Sequence, residues 1–328
     1  ATLIFVFFCS LIVTIDIELY RHWGFRMNTT PLFYISSEAV GSANFFVVIK
    51  LVSVFTLLTT VFIFTYFRLI ATHITIIDTR LVKAFYVFFP ITVFMFLPIR
   101  GSLTVAPMNT GFVFFHKTKP YANHAAINVV WNFFKSLTRT KHIEYPENFF
   151  EKDLARQYHT QLYPEADSTF RVLEQGKPNI IFIILESFTA DVIEPLGGMK
   201  GIAPHLSALC SEGILFDQCY ASGDRTDKGI VSILSGYPSQ PQTSIIKYPE
   251  KSQRLPHLNH YLKKLGYTTS FLYGGDIDFA NFRSYITMGN FDHLTTVDEF
   301  PEELSESKWG VHDHFMFAHA LQEIDTLK

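Results

Sequence analysis

Apolar residues are not spread evenly along this chain. Ala1 to Ile15 carries no charge before Asp16, Phe45 to Phe67 runs for 23 residues with Lys50 as its one charge, and Ala84 to Ile99 adds 16 more, extended backwards by Leu81 and Val82. A helix needs about 20 apolar residues to cross a hydrocarbon core, so the pattern predicts three transmembrane helices over residues 1–18, 45–67 and 81–99. The first run is already under way at Ala1, so the chain reads as trimmed there. A signal peptide is a competing reading of the first run, but basic leader and small-residue cleavage site are both missing. Buried core helices of a large soluble protein are another, and three Phe- and Val-rich runs within the first 100 residues weigh against them.

From Gly101 to about Gly176 the hydropathy falls. Ala125 to Leu137 has apolar residues at helical spacing and predicts an amphipathic helix, placed on a membrane surface or against the following domain. Glu151 to Leu162 is a second, more polar helical candidate. After Lys177-Pro178 the pattern changes again. Asn179 to Leu185 (NIIFIIL) reads as a strand buried on both faces of a parallel sheet. Helices are predicted at Pro204 to Glu212, Thr226 to Leu234 and Leu255 to Leu265, and further strands at Leu215 to Ala221 and Tyr267 to Tyr273. This alternation implies an α/β fold with a mainly parallel sheet, in which ligands gather beyond the carboxyl ends of the strands. The organisation is thus an anchor of transmembrane α-helices over 1–100, a helical connector over 101–176 and an α/β domain over 177–328.

Composition adds a polarity to that division. Only 17% of residues are charged, with 34 Phe, against about 25% charge in ordinary soluble domains. Residues 1–100 hold seven Lys/Arg and four acids, a net of +3, and since the whole chain is −3 the remainder carries −6. A pI near 6.5 without a Lys/Arg run leaves no footprint for nucleic acid. Arg68, Arg80 and Lys83 between the second and third spans outnumber Arg21 and Arg26 after the first, which puts the second loop in the cytoplasm and everything after Ile99 outside. Glu18, Arg21 and Arg26 read as interfacial anchors beside Tyr20 and Trp23, with a lipid-headgroup contact as the alternative. Cys210 and Cys219, nine apart, have two readings: a disulfide in an oxidising compartment, or buried apolar positions.

Three polar features sit at the predicted strand ends: Glu186, the segment Gly223 to Gly229, and Gly274-Gly275-Asp276. Each has a plain explanation. Glu186 fits a carboxylate favoured by a helix dipole, Thr226 an N-cap, the glycines turn residues. A threonine hydroxyl at a helix N-terminus is also a good nucleophile toward phosphate when a divalent metal lowers its pKa, and Glu186 would be a hard oxygen ligand for that metal.

Four ordered segments, NIIFIILESF, SGDRTDKGIVSILSGYPSQP, LPHLNHYLKKLGYTTSFLYGGDIDFANFRSY and SKWGVHDHFMF, resemble the lipoteichoic acid synthase-like phosphoglycerol transferases of the alkaline phosphatase and sulfatase superfamily. The resemblance implies an alkaline-phosphatase/sulfatase-like domain cut short at its C-terminal end. It implies Thr226 as the catalytic nucleophile and, with Glu186, a metal ligand, the remaining ligands being an Asp-His pair expected beyond Lys328. Asp313-His314 is a candidate for that pair, but it follows Trp309-Gly310 and opens an amphipathic run, so it reads better as a helix start. Asp276 and Arg283 match the substrate-contact region; Phe279 to Arg283 lacks the family's Trp and displaces its Arg by one, which brings phosphoethanolamine forward beside phosphoglycerol.

The implied cofactor is one divalent metal, Mn2+ by analogy, with Mg2+ or Zn2+ fitting the same ligands. The implied partners are a phospholipid donor, an envelope glycan or lipid acceptor and the lipid bilayer. The implied activity is transfer of a phosphoglycerol-type headgroup through a covalent threonine, in a bacterial cytoplasmic membrane with the catalytic domain extracytoplasmic. Two alternatives stand beside it: a phosphatase- or sulfatase-type hydrolase, against whose sulfatase form the Thr226-Asp227-Lys228 setting speaks, and a non-catalytic lipid sensor or scaffold. With half the ligand set absent, residues 1–328 are expected to bind metal weakly and to be inactive.

Overall fold

A computed structural model describes residues 2–34, 44–73, 81–103, 106–139, 149–164, 176–305, 307 and 309–326. Three long helices come first: α1 (Thr2–Trp23), α2 (Phe45–Thr65) and α3 (Leu81–Arg100). All three are long and apolar enough to cross a membrane, the second when extended to His73, and so they are compatible with membrane anchoring. Their large side chains point outward, Phe64 at 68% and Phe94 at 70% exposure, as a lipid-facing surface requires. Arg80, which enters the loop charge count, lies outside the described residues.

At the end of α1 the chain turns sharply. Gly24 adopts φ +71° and its N–H bonds Tyr20 O at 2.9 Å, closing the helix. Asp16, only 1% exposed, then holds the returning strand of chain: its Oδ2 lies 2.7 Å from Arg26 Nη1, and its Oδ1 accepts from Met27 N at 2.6 Å. A carboxylate so buried is tolerated only when paired and hydrogen-bonded. Lys50 at the start of α2 pairs with Glu18 on α1, and Phe7 meets Phe55 edge-on at 5.3 Å, joining the two helices as a hairpin.

The chain divides into two compact units, 142–221 on the one hand and 1–141 with 222–328 on the other. The larger unit continues with α4 (Pro120–Ala125) and α5 (Val129–Arg139), the smaller holds α6 (Lys152–Leu162) and α7 (Pro204–Glu212), and the larger resumes with α8 (Thr226–Ser235), α9 (Pro249–Ser252) and α10 (Leu258–Lys264). Strand β1 (Ser270–Leu272), helix α11 (Phe282–Gly289), strand β2 (His293–Thr295) and helix α12 (Asp313–Thr326) complete it. The strands are parallel, with Ser270 opposite His293 and Leu272 opposite Thr295. Asp292 couples this sheet to α10: its carboxylate takes Thr269 N at 2.9 Å, Thr269 Oγ1 at 3.0 Å and Lys263 Nζ at 2.6 Å, a set that holds its pKa down at about 2, the lysine contributing most.

The core of the larger unit packs Ile230, Val231 and Leu234 of α8 against Phe282, Tyr285 and Ile286 of α11, with Ile246, Ile277 and Phe291 filling between them. Tyr285 is fully buried and its hydroxyl meets Ser235 Oγ at 2.6 Å; burial pushes its pKa up to about 12. Beneath it His257, 1% exposed, lies 4.5 Å from the Tyr285 ring. Ile12 and Met27 form a second, smaller cluster with Val129 of α5.

Two predicted strands do not form. Asn179 to Leu185 enters no ladder, and Ile181, Phe182 and Ile183 are 60–65% exposed. Leu215 to Ala221 likewise belongs to no strand, with Tyr220 at 80% exposure. Tyr267 to Tyr273 does form one, narrowed to β1, so the mainly parallel sheet is a two-stranded one among the described residues. The physical reason is that apolar runs record a local preference for burial, whereas a strand exists only when a non-local partner offers its N–H and C=O groups.

Two outcomes follow for stability. The folded state accepts a proton at His257 only near pH 4, because burial and then the neighbouring His260 disfavour the cation, while the unfolded chain accepts it near the ordinary 6.5. The unfolded state therefore binds more protons in between, and stability falls by roughly 3 kcal/mol as pH drops from about 6.5 to 4. Unfolding midpoints in detergent across that window should show this slope, and His257→Leu should flatten it. Arg26→Met, which strands Asp16, should cost about 3–5 kcal/mol, and the double change Asp16→Leu with Arg26→Met should recover part of that loss in the same measurement.

Candidate functional site

Thr226 is the first residue of α8. The helix starts there because Arg225, at φ −143° and ψ 152°, is still extended, while its carbonyl already accepts Lys228 N and Gly229 N at 3.0 Å each. Thr226 is therefore the first helical residue rather than the N-cap of the plainer reading. The first turn of such a helix directs backbone N–H groups and the positive end of the dipole outward, which suits a phosphate or sulfate oxygen. The half-buried Thr226 stands in that turn.

The turn is held from three sides. Asp227, 6% exposed, places its Oδ2 3.0 Å from Lys247 Nζ, and its backbone carbonyl accepts Ser244 Oγ at 2.7 Å. Lys228 reaches back to Asp224 Oδ1 at 2.7 Å and also donates to Pro241 O at 3.1 Å, pinning the loop before the helix; the same contact holds the exposed Asp224 carboxyl below its usual range. Gly223 lies so close to Ser239 and Lys228 that a Cβ there would stand 2.6 Å from Ser239 Oγ and 2.8 Å from Lys228 Cβ, so a side chain at this position would make them shift. Gly236 ends the helix in the left-handed region at φ +62°.

The second group of candidates follows β1. Gly274 and Gly310 touch so tightly that a Cβ on Gly310, itself at φ +116°, would lie 2.0 Å from Gly274 O, and Val311 N bonds that same oxygen at 2.9 Å. Asp276 Oδ1 then accepts Asp278 N at 2.8 Å, and Asp278 grips Arg283 through Nε at 2.5 Å and Nη2 at 3.0 Å. This pairing raises the Arg283 pKa and occupies two of its donors. Asp276 and Arg283 are therefore brought to one place, with Asp278 as the third member. Ala280 and Asn281 between them take left-handed φ of 55° and 67°, strain that clusters at binding segments.

Glu186 lies in the smaller unit, exposed, in a turn where Ser187 adopts φ 58°. Thr226 lies in the larger. Asp313 opens α12, and the His314 ring sits 3.9 Å from that of Phe315. Among the described residues no three His, Cys, Asp or Glu side chains converge on one point, whereas a divalent cation takes about four to eight ligands. The described residues thus show no group of this kind that could hold a metal by itself. All three cysteines are free, Cys219 exposed, so the 210–219 disulfide reading is set aside.

The residues that sequence reasoning missed are Asp227, Lys247, Asp278 and the buried Asp16. Asp16 had a visible signal, a lone acid next to an apolar run. The Asp227–Lys247 contact had none, since it joins positions that no helical or strand spacing relates.

Residues 178–328 match the Sulfatase family model, a family whose superfamily typically uses a divalent metal. A solved structure described as a protein in the alkaline phosphatase superfamily from Vibrio parahaemolyticus is 30% identical over 42% of this chain, with a TM-score of 0.39. The chain covers 34% of that protein, about a third of its length. The segment that carries Glu186, Thr226, Asp276 and Arg283 thus lies within the part of the chain that is similar to the Sulfatase family.

Proposed function

We propose that this chain belongs to a membrane-anchored transferase that moves a phosphoglycerol-type headgroup from a phospholipid to an envelope acceptor, with Thr226 as the nucleophile. The observation that carries the reading is the position of Thr226 in the first turn of α8, inside the segment that matches the Sulfatase model. Three apolar helices upstream support a donor that stays in the bilayer.

Two displacements make up the reaction. Thr226 Oγ bonds to the headgroup phosphorus, the bond from phosphorus to the diacylglycerol oxygen breaks, and that oxygen leaves with the threonine proton. An acceptor hydroxyl then bonds to the same phosphorus, the Oγ–P bond breaks, and the acceptor proton returns to Thr226. Backbone N–H groups of the α8 turn suit the phosphoryl oxygens in both steps. Arg283, with two donors on Asp278, retains others for a phosphate oxygen. A divalent metal, Mn2+ by family analogy or Mg2+ or Zn2+, would supply charge neutralisation at phosphorus; the described ligand set does not place it.

The full-length protein, incubated with phosphatidylglycerol labelled in its headgroup, should acquire a glycerophosphoryl mass on Thr226 that an added acceptor removes. Thr226→Ala should abolish the adduct and lower turnover by about 10³-fold or more. Normal turnover by Thr226→Ala overturns the nucleophile, and product formation independent of acceptor turns the reading into hydrolysis.

A further inference from the structure

A cavity of about 210 Å³ opens where the chain leaves α1 and shares Lys247 with the contacts that hold the Thr226 turn. Its wall is built within the larger unit, by the segment after α1, by α5 and by the residues leading into α9. Four cations face it, Arg26, Lys135, Lys247 and Lys251, against one carboxylate, Glu250. Two neighbouring acids temper this charge, since Asp16 pairs with Arg26 and Asp227 with Lys247. Counting both, the surroundings remain at net +1. His124 adds no charge near neutrality, because burial lowers its pKa.

Position and size narrow the ligand. Thr29 and Thr30 line the cavity and lie within seven residues of Trp23, the last residue of a helix apolar enough to span. The end of a span lies at headgroup depth, where Tyr and Trp such as Tyr20 and Trp23 also gather. Phe25, Phe114 and Ile127 give the wall apolar area beside hydroxyl and amide donors from Thr110 and Asn132. At 210 Å³ the space is below the roughly 300–1,000 Å³ of drug-sized pockets. It fits a phosphate with a small polar substituent.

We infer that this cavity is a binding site for the headgroup of an anionic phospholipid, held by Lys135 and Lys251 at the end of α1. Lys135 is oriented for it, its ammonium fixed on Met108 O at 2.6 Å and over the Trp131 ring at 4.3 Å. Lys251, exposed, lies over Tyr248 at 5.3 Å. A phosphodiester of charge −1 complements the net +1 surroundings, and a zwitterionic headgroup does not. Binding here needs no turnover, so it goes beyond the transfer reading and stands or falls separately.

Calorimetric titration of the full chain in a neutral detergent tests it with three probes: dihexanoylphosphatidylglycerol, dihexanoylphosphatidylethanolamine and free glycerol 3-phosphate. The anionic lipid should bind about tenfold or more tightly than the zwitterionic one, and about 0.5 M salt should weaken it. Lys135→Gln and Lys251→Gln should each weaken it by about threefold or more, while Lys119→Gln, outside the cavity, should not. Lys251 is exposed, so Lys251→Gln carries the test even if Lys135→Gln lowers the unfolding midpoint. Equal affinity for the two lipids, or wild-type affinity in Lys251→Gln, overturns the site. Free glycerol 3-phosphate binding as tightly as the lipid overturns the lipid assignment. Loss of turnover in Thr226→Ala with lipid binding retained bears on the transfer reading alone.

Discussion

The arrangement of the larger unit depends on one buried carboxylate. Asp16 sits near the end of an apolar helix at 1% exposure, where an unpaired charge is not sustainable. Its demand for Arg26 and for Met27 N forces the chain to fold back on α1 within a few residues. The contacts at that end use both the returned segment and the helix end: Asn132 of α5 donates to Met27 O at 2.9 Å, and Arg254 donates to the O of Trp23, the last residue of α1, at 2.8 Å. Tyr20 meets His124, which in turn meets Gln253. The apolar helix α1 and the region around α9 are thereby joined through polar contacts.

From α9 the order is passed to the threonine turn by a different kind of contact. Lys247 faces the cavity and also neutralises Asp227, the residue after Thr226. The far side of α8 is fixed by apolar packing onto α11, through Val231 and Tyr285. One face of the helix is thus set by charge and the other by shape, and Thr226 stands at the end where the two meet.

Much of the helical framework was legible in the sequence. Helices α1, α2 and α3 lie over the three apolar runs, α1 continuing from residue 18 to Trp23, and α7 occupies the interval that Pro204 and Glu212 bound in the pattern. Pro at a first helical position and a 3.6-residue apolar period are local signals, so they survive without tertiary knowledge. The strands were not legible in the same way. NIIFIIL has a stronger strand composition than Ser270–Leu272, yet it is the shorter, more polar segment that pairs, because His293–Thr295 lies beside it. Among the candidate site residues, Thr226 and Arg283 were named through the family resemblance; Asp278, which pairs with Arg283, and Lys247, which pairs with Asp227 beside Thr226, came only with the fold.

The exposed run from Ile180 to Leu185 has a consequence for how the protein behaves at concentration. Six consecutive apolar residues stand with 40–65% of their surface open and no ladder on either side among the described residues. Such a segment offers a backbone template and a low-charge apolar surface together, the combination that drives edge-to-edge self-association.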